Sequence, residues 1–327
     1  MYRRFSYFTI LLSVMVVVIL LMWGLTGKNF MNPGNFQSMA YQLPELGILT
    51  LAMMIAMLTS GINLSIIATT NLSGIVMALV LLKTFPPDSP YVNSVWLVVL
   101  AILAGLIVAA IIGDLVGFLI AVLDVSPILA TLGTMIMVSG ISLVITQGYV
   151  LSGFSPAMLA IGNKAILGIP IPLLIFLACA GIMSVILNKT PLGTRIYLLG
   201  SNPVACFYSG VNNKTVLFRT YIISGLYSGV AAVVMISRFN SAKADYGESY
   251  LLLTVLAAVL GGVSAAGGFG KVSGLIISLV ILQMISSGLN LMGISNFFTL
   301  ALWGIVLILV MIIKYIIEKR AQSRWTT

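Results

Sequence analysis

The stretch Gly261-Gly262-Val263-Ser264-Ala265-Ala266-Gly267-Gly268-Phe269-Gly270-Lys271 comes nearest to known chemistry, since glycine-rich loops ending in Gly-Lys can cradle a nucleotide phosphate. It does not complete that pattern. Ala265 occupies the first glycine position, and Val272 stands where a serine or threonine must hold Mg²⁺. The chain has no histidine, which removes His-based metal sites, catalytic triads and histidine proton relays. Cys179 lies in an apolar run and Cys206 in a basic loop, so neither a disulfide nor a structural zinc site is expected. Of seven acids only Glu45 and Asp114 fall in apolar runs, each near an end, where snorkelling or helix-end roles are the expectation. No catalytic residue, cofactor or metal is expected in this chain.

Two other groups could do physical work. Lys189 to Arg219 holds four of the sixteen basic residues and no acid. Within it Asn202 can cap a short helix, Pro203 suits its first position, Ala205 and Phe207 follow, and Gly210 supplies a stop. A short helix in a basic loop between membrane spans is a place for a soluble partner to push. The second group is polar residues inside apolar runs. Asn63, Asn71 and Gln283 are expected to face a solute pathway, since amides both donate and accept. Interhelical hydrogen bonds of about 1–2 kcal/mol or less are the competing explanation.

Composition states what must position these groups. The chain has 327 residues, 60% hydrophobic and 7% charged, against about 25% charged in soluble domains. Mean hydropathy is +1.17. The expected fold is all-α, a polytopic transmembrane helical bundle forming one domain over 1–327. Ten spans are predicted, at roughly 5–25, 43–60, 65–83, 94–117, 127–146, 170–188, 217–237, 250–265, 272–290 and 296–315. Turn chemistry separates them at Asn32-Pro33-Gly34, Pro86-Pro87-Asp88, Gly153 to Pro156 and Lys243 to Glu248. The first run follows Arg3 and Arg4, and is too long for the roughly 7–15-residue core of a cleaved signal.

The net charge of +9 reads as a topology signal rather than a nucleic-acid surface. Arg3, Arg4, Lys189, Arg195, Lys214, Arg219, Lys271, Lys314, Lys319, Arg320 and Arg324 fall on one side of a ten-span layout. Only Lys28, Lys83, Lys164, Arg238 and Lys243 fall on the other. The basic loop and both termini are therefore expected in the cytoplasm, with Tyr2 and Trp325 at the inner interface. Lys164, Arg238, Lys243, Asp245 and Glu248 are left outside as candidates for docking a partner. Two turns carry no charge: Ser60-Gly61-Ile62-Asn63-Leu64-Ser65, and the stretch holding Gly261, Gly262, Gly267, Gly268 and Gly270. Paired glycine breaks build discontinuous helices in many transporters, and they equally permit close helix packing.

Three segments resemble bacterial ABC importer permeases for ribose and related sugars, and the similarity spans almost the whole chain. SGINLS at 60–65 resembles the family's SGGIDLS-type turn, with Asn63 in place of aspartate. TPLGTRIYLLGSNPVACFYSGV at 190–211 resembles its cytoplasmic loop, with Arg195 displaced by one position. LAAVLGGVSAAGGFGKVSG at 256–274 resembles its glycine-rich segment. The resemblance implies two permease chains, identical or related, forming a pore in the bacterial inner membrane. It implies two cytoplasmic ATPases that bind ATP and Mg²⁺, and a periplasmic or lipid-anchored binding protein delivering solute. The ATPase-coupling loop would be about 189–219, with Thr190, Gly193, Arg195, Gly200, Asn202, Pro203, Ala205 and Gly210 as its coupling residues. The solute would be a monosaccharide or sugar-like molecule. A nucleoside or sugar-derived signalling compound, an ion-coupled secondary transporter and a membrane scaffold are the alternatives.

Overall fold

A computed structural model describes residues 2–83 and 95–323. The proline turn at 86–88 and Trp325 lie outside it, as do Arg324 and the side chains of Tyr2, Arg3, Arg4, Lys83, Lys314, Lys319 and Arg320. Thirteen α-helices occupy the described residues: α1 (Tyr2–Thr26), α2 (Pro33–Leu58), α3 (Ile66–Lys83), α4 (Val95–Ala121), α5 (Pro127–Thr146), α6 (Pro156–Asn163), α7 (Ile171–Lys189), α8 (Pro191–Ser201), α9 (Pro203–Tyr208), α10 (Asn213–Phe239), α11 (Tyr250–Leu260), α12 (Val272–Leu291) and α13 (Asn296–Ser323). Seven are long and apolar enough to cross a membrane, and three more apolar helices, at Ile66–Leu82, Tyr250–Leu260 and Phe297–Leu309, are shorter.

α2 is the axis of the bundle. From Leu43 to Leu58 all but one of its residues are buried, as expected of a helix apolar on every face. α7, α10, α11 and α12 pack around it. The outer helices show the opposite pattern. Trp96, Leu100, Leu103, Ile107 and Ile111 form one exposed apolar stripe along α4, which only lipid or another apolar surface can cover.

α2 starts about ten residues before its apolar run, which corrects the expected start at 43. Asn32 caps it, its Oδ1 accepting from the Gly34 N–H at 3.0 Å, and Pro33 takes the first turn. Pro44, near the start of the predicted 43–60 span, lies inside the helix. Glu45 is therefore a mid-helix residue rather than an end residue.

α4 and α10 make the most extensive pairing, through small residues. Gly113 fits where a Cβ would stand 2.7 Å from the Tyr221 carbonyl oxygen and 3.0 Å from the Ile222 Cα. Gly225 opposes it from α10. Gly113→Leu should therefore abolish the yield of monodisperse protein, because backbone cannot move aside. Gly133→Leu should be tolerated, since nothing lies within 4 Å of its Cβ position. Size-exclusion profiles of the two variants check this.

One end of the bundle carries irregular structure. β1 (Leu151–Ser152) pairs antiparallel with β4 (Ser241–Ala242), and β2 (Ala165–Ile166) pairs with β3 (Ile169–Pro170) as a hairpin. α6 lies on the end of α10: Gly162 meets the Ser237–Arg238 backbone, and the Asn163 side-chain amide donates to the Ser237 carbonyl at 3.0 Å. The opposite end holds the Ser60 turn, the 261–271 loop, α8 and α9. α1 runs parallel to α12, with Leu11 beside Gly274 and Met22 beside Gly288, so the chain begins at that second end.

Candidate functional site

The loop between α7 and α10 folds as two capped helices. Thr190 caps α8, its Oγ1 accepting from the Gly193 N–H at 3.3 Å, with Pro191 in the first turn. Asn202 caps α9, accepting from the N–H groups of Val204 at 3.1 Å and Ala205 at 3.0 Å. Gly210, at φ +77°, closes α9 with N–H bonds from Gly210 to Phe207 O and from Val211 to Cys206 O. Sequence reasoning found α9 and missed α8; the signal was Thr190-Pro191, a cap followed by a first-turn proline.

The two helices present different faces. α8 buries Gly193, Ile196, Leu199 and Gly200, one stripe at helical spacing. α9 buries only Cys206 and leaves Val204, Phe207 and Tyr208 exposed at 65%, 66% and 83%. The cations of the same loop, Lys189, Arg195, Lys214 and Arg219, are exposed as well. Burial pushes the Tyr197 hydroxyl upward, and it does the same to the Cys206 thiol against the opposing pull of Arg195. Both groups stay neutral at physiological pH.

α8 sits where the two glycine breaks meet. Gly193 lies against the Ile186 and Leu187 carbonyls at the end of α7. Gly200 lies against the Leu58 carbonyl at the end of α2 and against the Gly268 N–H. Gly268 in turn donates to the Leu58 carbonyl at 3.0 Å. Ser60 adopts φ +64°, uncommon for a residue with a Cβ, and its hydroxyl faces the carbonyls of Ala266 at 2.7 Å and Gly200 at 3.1 Å. The Tyr197 hydroxyl donates to the Gly270 carbonyl at 2.8 Å. Gly267, at φ +85°, fits against Ser60, and Gly262, at φ +87°, turns the chain after α11. Gly61 accommodates the Tyr221 hydroxyl, and Gly261 packs on Gly274 and Leu275. The 60–61 break, the 261–271 break and α8 thus form one junction of close backbone approaches, fastened by the Ser60 and Tyr197 hydroxyls.

Arg195, Asn202, Pro203, Ala205 and Gly210 lie on the exposed side of this unit, whereas Gly193 and Gly200 lie inside it. Asn63 is buried, with its amide donating to the Ser224 hydroxyl at 2.9 Å and its carbonyl accepting from Ser65. Asn71 is buried and donates to the Ala244 and Tyr246 carbonyls. Asn63 ties the 60–65 turn to α10, and Asn71 ties α3 to the loop before α11. Gln283 has other partners: it lines a cavity of about 140 Å³ and donates to Gln42 Oε1 at 3.1 Å.

Glu45 lines the same cavity. Its side chain is 0% exposed, and its Oε1 accepts from Arg238 Nη1 at 2.7 Å. This corrects two expectations, because Arg238 turns inward from the last turn of α10 and is 21% exposed instead of standing free for a docking partner. Lys243 is paired with Asp245 at 2.8 Å.

A family model described as "Branched-chain amino acid transport system / permease component" matches residues 35–313. The ribose import permease protein RbsC of Bacillus subtilis (strain 168) is 33% identical over 304 residues, covering 92% of this chain and 90% of the relative. The autoinducer 2 import system permease protein LsrD of Escherichia coli O9:H4 (strain HS) is 32% identical over 285 residues, covering 85% and 83%. No solved structure matches.

Proposed function

Since the chain belongs to the branched-chain amino acid transport system / permease component family, we propose that it is the transmembrane permease subunit of an ATP-driven ABC importer. It carries a monosaccharide or sugar-like solute across the bacterial inner membrane. Near full-length similarity to a ribose permease supports that solute class over branched-chain amino acids. The similarity to an autoinducer 2 permease makes a small signalling compound the second reading.

The observation that carries the mechanism is the junction. A force on α9 passes through α8 to the ends of α2 and α7, where Gly193 and Gly200 bring backbone against backbone, and to the 261–271 loop through the Ser60 and Tyr197 hydroxyls. The exposed Val204, Phe207 and Tyr208 suit a groove on a cytoplasmic ATPase subunit, a helix-in-groove contact. That partner binds ATP and Mg²⁺ and performs the hydrolysis. The seven long and three shorter apolar helices make ten spans, with the junction, its cations and both termini cytoplasmic. A second permease chain, the same or a paralogue, completes the pore. A periplasmic or lipid-anchored binding protein docks at the opposite end, near Lys164 and Glu248.

Reconstitution tests this. The chain alone in proteoliposomes should take up no sugar, and uptake should require the ATPase, the binding protein and ATP together. Ala205→Glu places a carboxylate on the exposed face of α9, and Gly210→Trp puts a side chain at φ +77°. Each should cut uptake by about tenfold or more while the partner still hydrolyses ATP, within the roughly 5–150-fold range of coupling energies. Normal uptake in both variants, or uptake by the isolated chain, sinks the reading.

A further inference from the structure

The cavity that holds Gln283 has features a passive wall does not need. It is lined from five helices: Gln42 and Glu45 on α2, Arg238 on α10, Tyr250 on α11, Gln283 on α12 and Trp303 on α13. Its volume of about 140 Å³ lies below the roughly 300–1,000 Å³ of sites for drug-sized ligands. Only a small solute can enter.

The chemistry of the lining narrows the class. Glu45 and Arg238 cancel each other's charge at 2.7 Å, and the remaining polar groups are uncharged. The pair leaves no net charge in the space to attract an anion or to sort the two ends of a zwitterion. Hydroxyl groups need none. Gln42 and Gln283 bond to each other through one donor and one acceptor, leaving the Gln42 amide N–H₂ and Gln283 Oε1 for an occupant. Arg238 still has free guanidinium N–H groups, and the Ser286 hydroxyl also faces the space. Phe239 and Trp303 add aromatic walls for the C–H faces of a ring. Donors, acceptors and flat apolar walls around a neutral space are what a polyhydroxylated solute requires.

Position supplies the second argument. Glu45 and Leu58 lie on the same helix, about 20 Å apart at 1.5 Å per residue. α11 begins at Tyr250 in the cavity and ends at Leu260 beside the junction. α12 begins in the junction and carries Gln283. Three of the five helices that shape the cavity, α2, α11 and α12, therefore have their far ends at the α8 junction.

We propose that this cavity is a low-affinity station for a neutral polyhydroxylated solute, opened and closed by the α8 junction through α2, α11 and α12. The proposal rests on the reading of the chain as a sugar-type permease and adds to it a place and a set of contacts.

Two measurements separate the station from that reading. In the first, the full chain is purified with Trp23, Trp96 and Trp325 replaced by phenylalanine, so that Trp303 alone reports. D-Ribose and D-glucose should change its emission saturably, L-leucine should not, and Gln283→Leu should remove the sugar response. A response to leucine alone, no saturable response, or an undiminished response in Gln283→Leu overturns the station. In the second, the assembled importer carries Gln283→Leu or Ser286→Leu. Sugar uptake should fall by about tenfold, the scale of losing one well-made hydrogen bond, and Gln283→Asn should restore part of it. Unchanged uptake in both leucine variants overturns the station and leaves the permease reading standing. An assembled wild-type importer that takes up no sugar sinks the permease reading, while Trp303 still decides the station.

Discussion

Replacing Gly200 with leucine should reduce solute uptake by the assembled importer about a hundredfold, near the top of the range for coupling between distant sites. The reason is local. A Cβ at position 200 would be driven into the Leu58 carbonyl oxygen and would meet the Gly268 nitrogen at 2.5 Å. Neither neighbour is the far end of a flexible side chain. One is the C-terminal end of α2 and the other is a loop residue at φ +74°, itself pressed against Ser201. The only way to admit the side chain is to lift α8 from the junction, which breaks the Ser60 contact with the Gly200 carbonyl and loosens the Tyr197 bond to Gly270. α9 would still be folded and able to meet the ATPase, since its caps come from Asn202 and Gly210. ATP hydrolysis should therefore continue but cease to respond to the loaded binding protein. Gly210→Ala is the comparison, because its Cβ position is open and its φ alone is unfavourable. Uptake in Gly200→Leu within about twofold of wild type would remove the junction from the mechanism, because coupling worth even 1 kcal/mol corresponds to roughly fivefold.

The sequence made some of this architecture plain and hid the rest for physical reasons. Helix positions were readable because a bilayer demands long apolar runs, and α5 occupies 127–146 as predicted. The start of α2 was not readable from hydropathy. Asn35, Gln37 and Gln42 are polar yet helical, and Pro44 imitates a first-turn proline. Which face of a span meets protein was also hidden, because lipid is as apolar as leucine and burial leaves no polarity contrast. The Gly113–Gly225 contact could be suspected only from Gly105, Ala109, Gly113 and Gly117 recurring at every fourth residue. Asn63 and Asn71 show the converse difficulty. An amide in an apolar run must find partners, and composition cannot say whether these are solute or neighbouring carbonyls. That the two glycine breaks touch each other and α8 is a tertiary fact, with about 200 residues between Ser60 and Ala266.

The Glu45–Arg238 pair leads to the other large effect, on stability. Arg238→Met should destabilise the protein by about 3–5 kcal/mol, the usual result of removing one partner from a buried ion pair. The size follows from the asymmetry of the pair: Glu45 is 0% exposed in the middle of the central helix, and its other oxygen has only a distant contact, 3.5 Å from the Tyr250 hydroxyl. Without the guanidinium, a carboxylate is left buried with only neutral groups around it and the long Tyr250 contact as its one hydrogen bond. Glu45→Gln alone should be milder, because Arg238 is 21% exposed and can turn outward. The double variant Glu45→Gln with Arg238→Met should recover most of the loss, since an uncharged amide no longer needs a counter-ion. Thermal unfolding of the three variants in detergent measures this, and an Arg238→Met midpoint equal to wild type would mean that the pair holds nothing. The same cycle bears on transport. If the pair served only to fasten α2 to α10, the double variant would regain uptake along with stability. A double variant that folds as well as wild type and still fails to carry sugar would instead show that charge-paired donors and acceptors are needed in the cavity itself. Stability and uptake respond separately only if Glu45 and Arg238 touch the solute as well as each other.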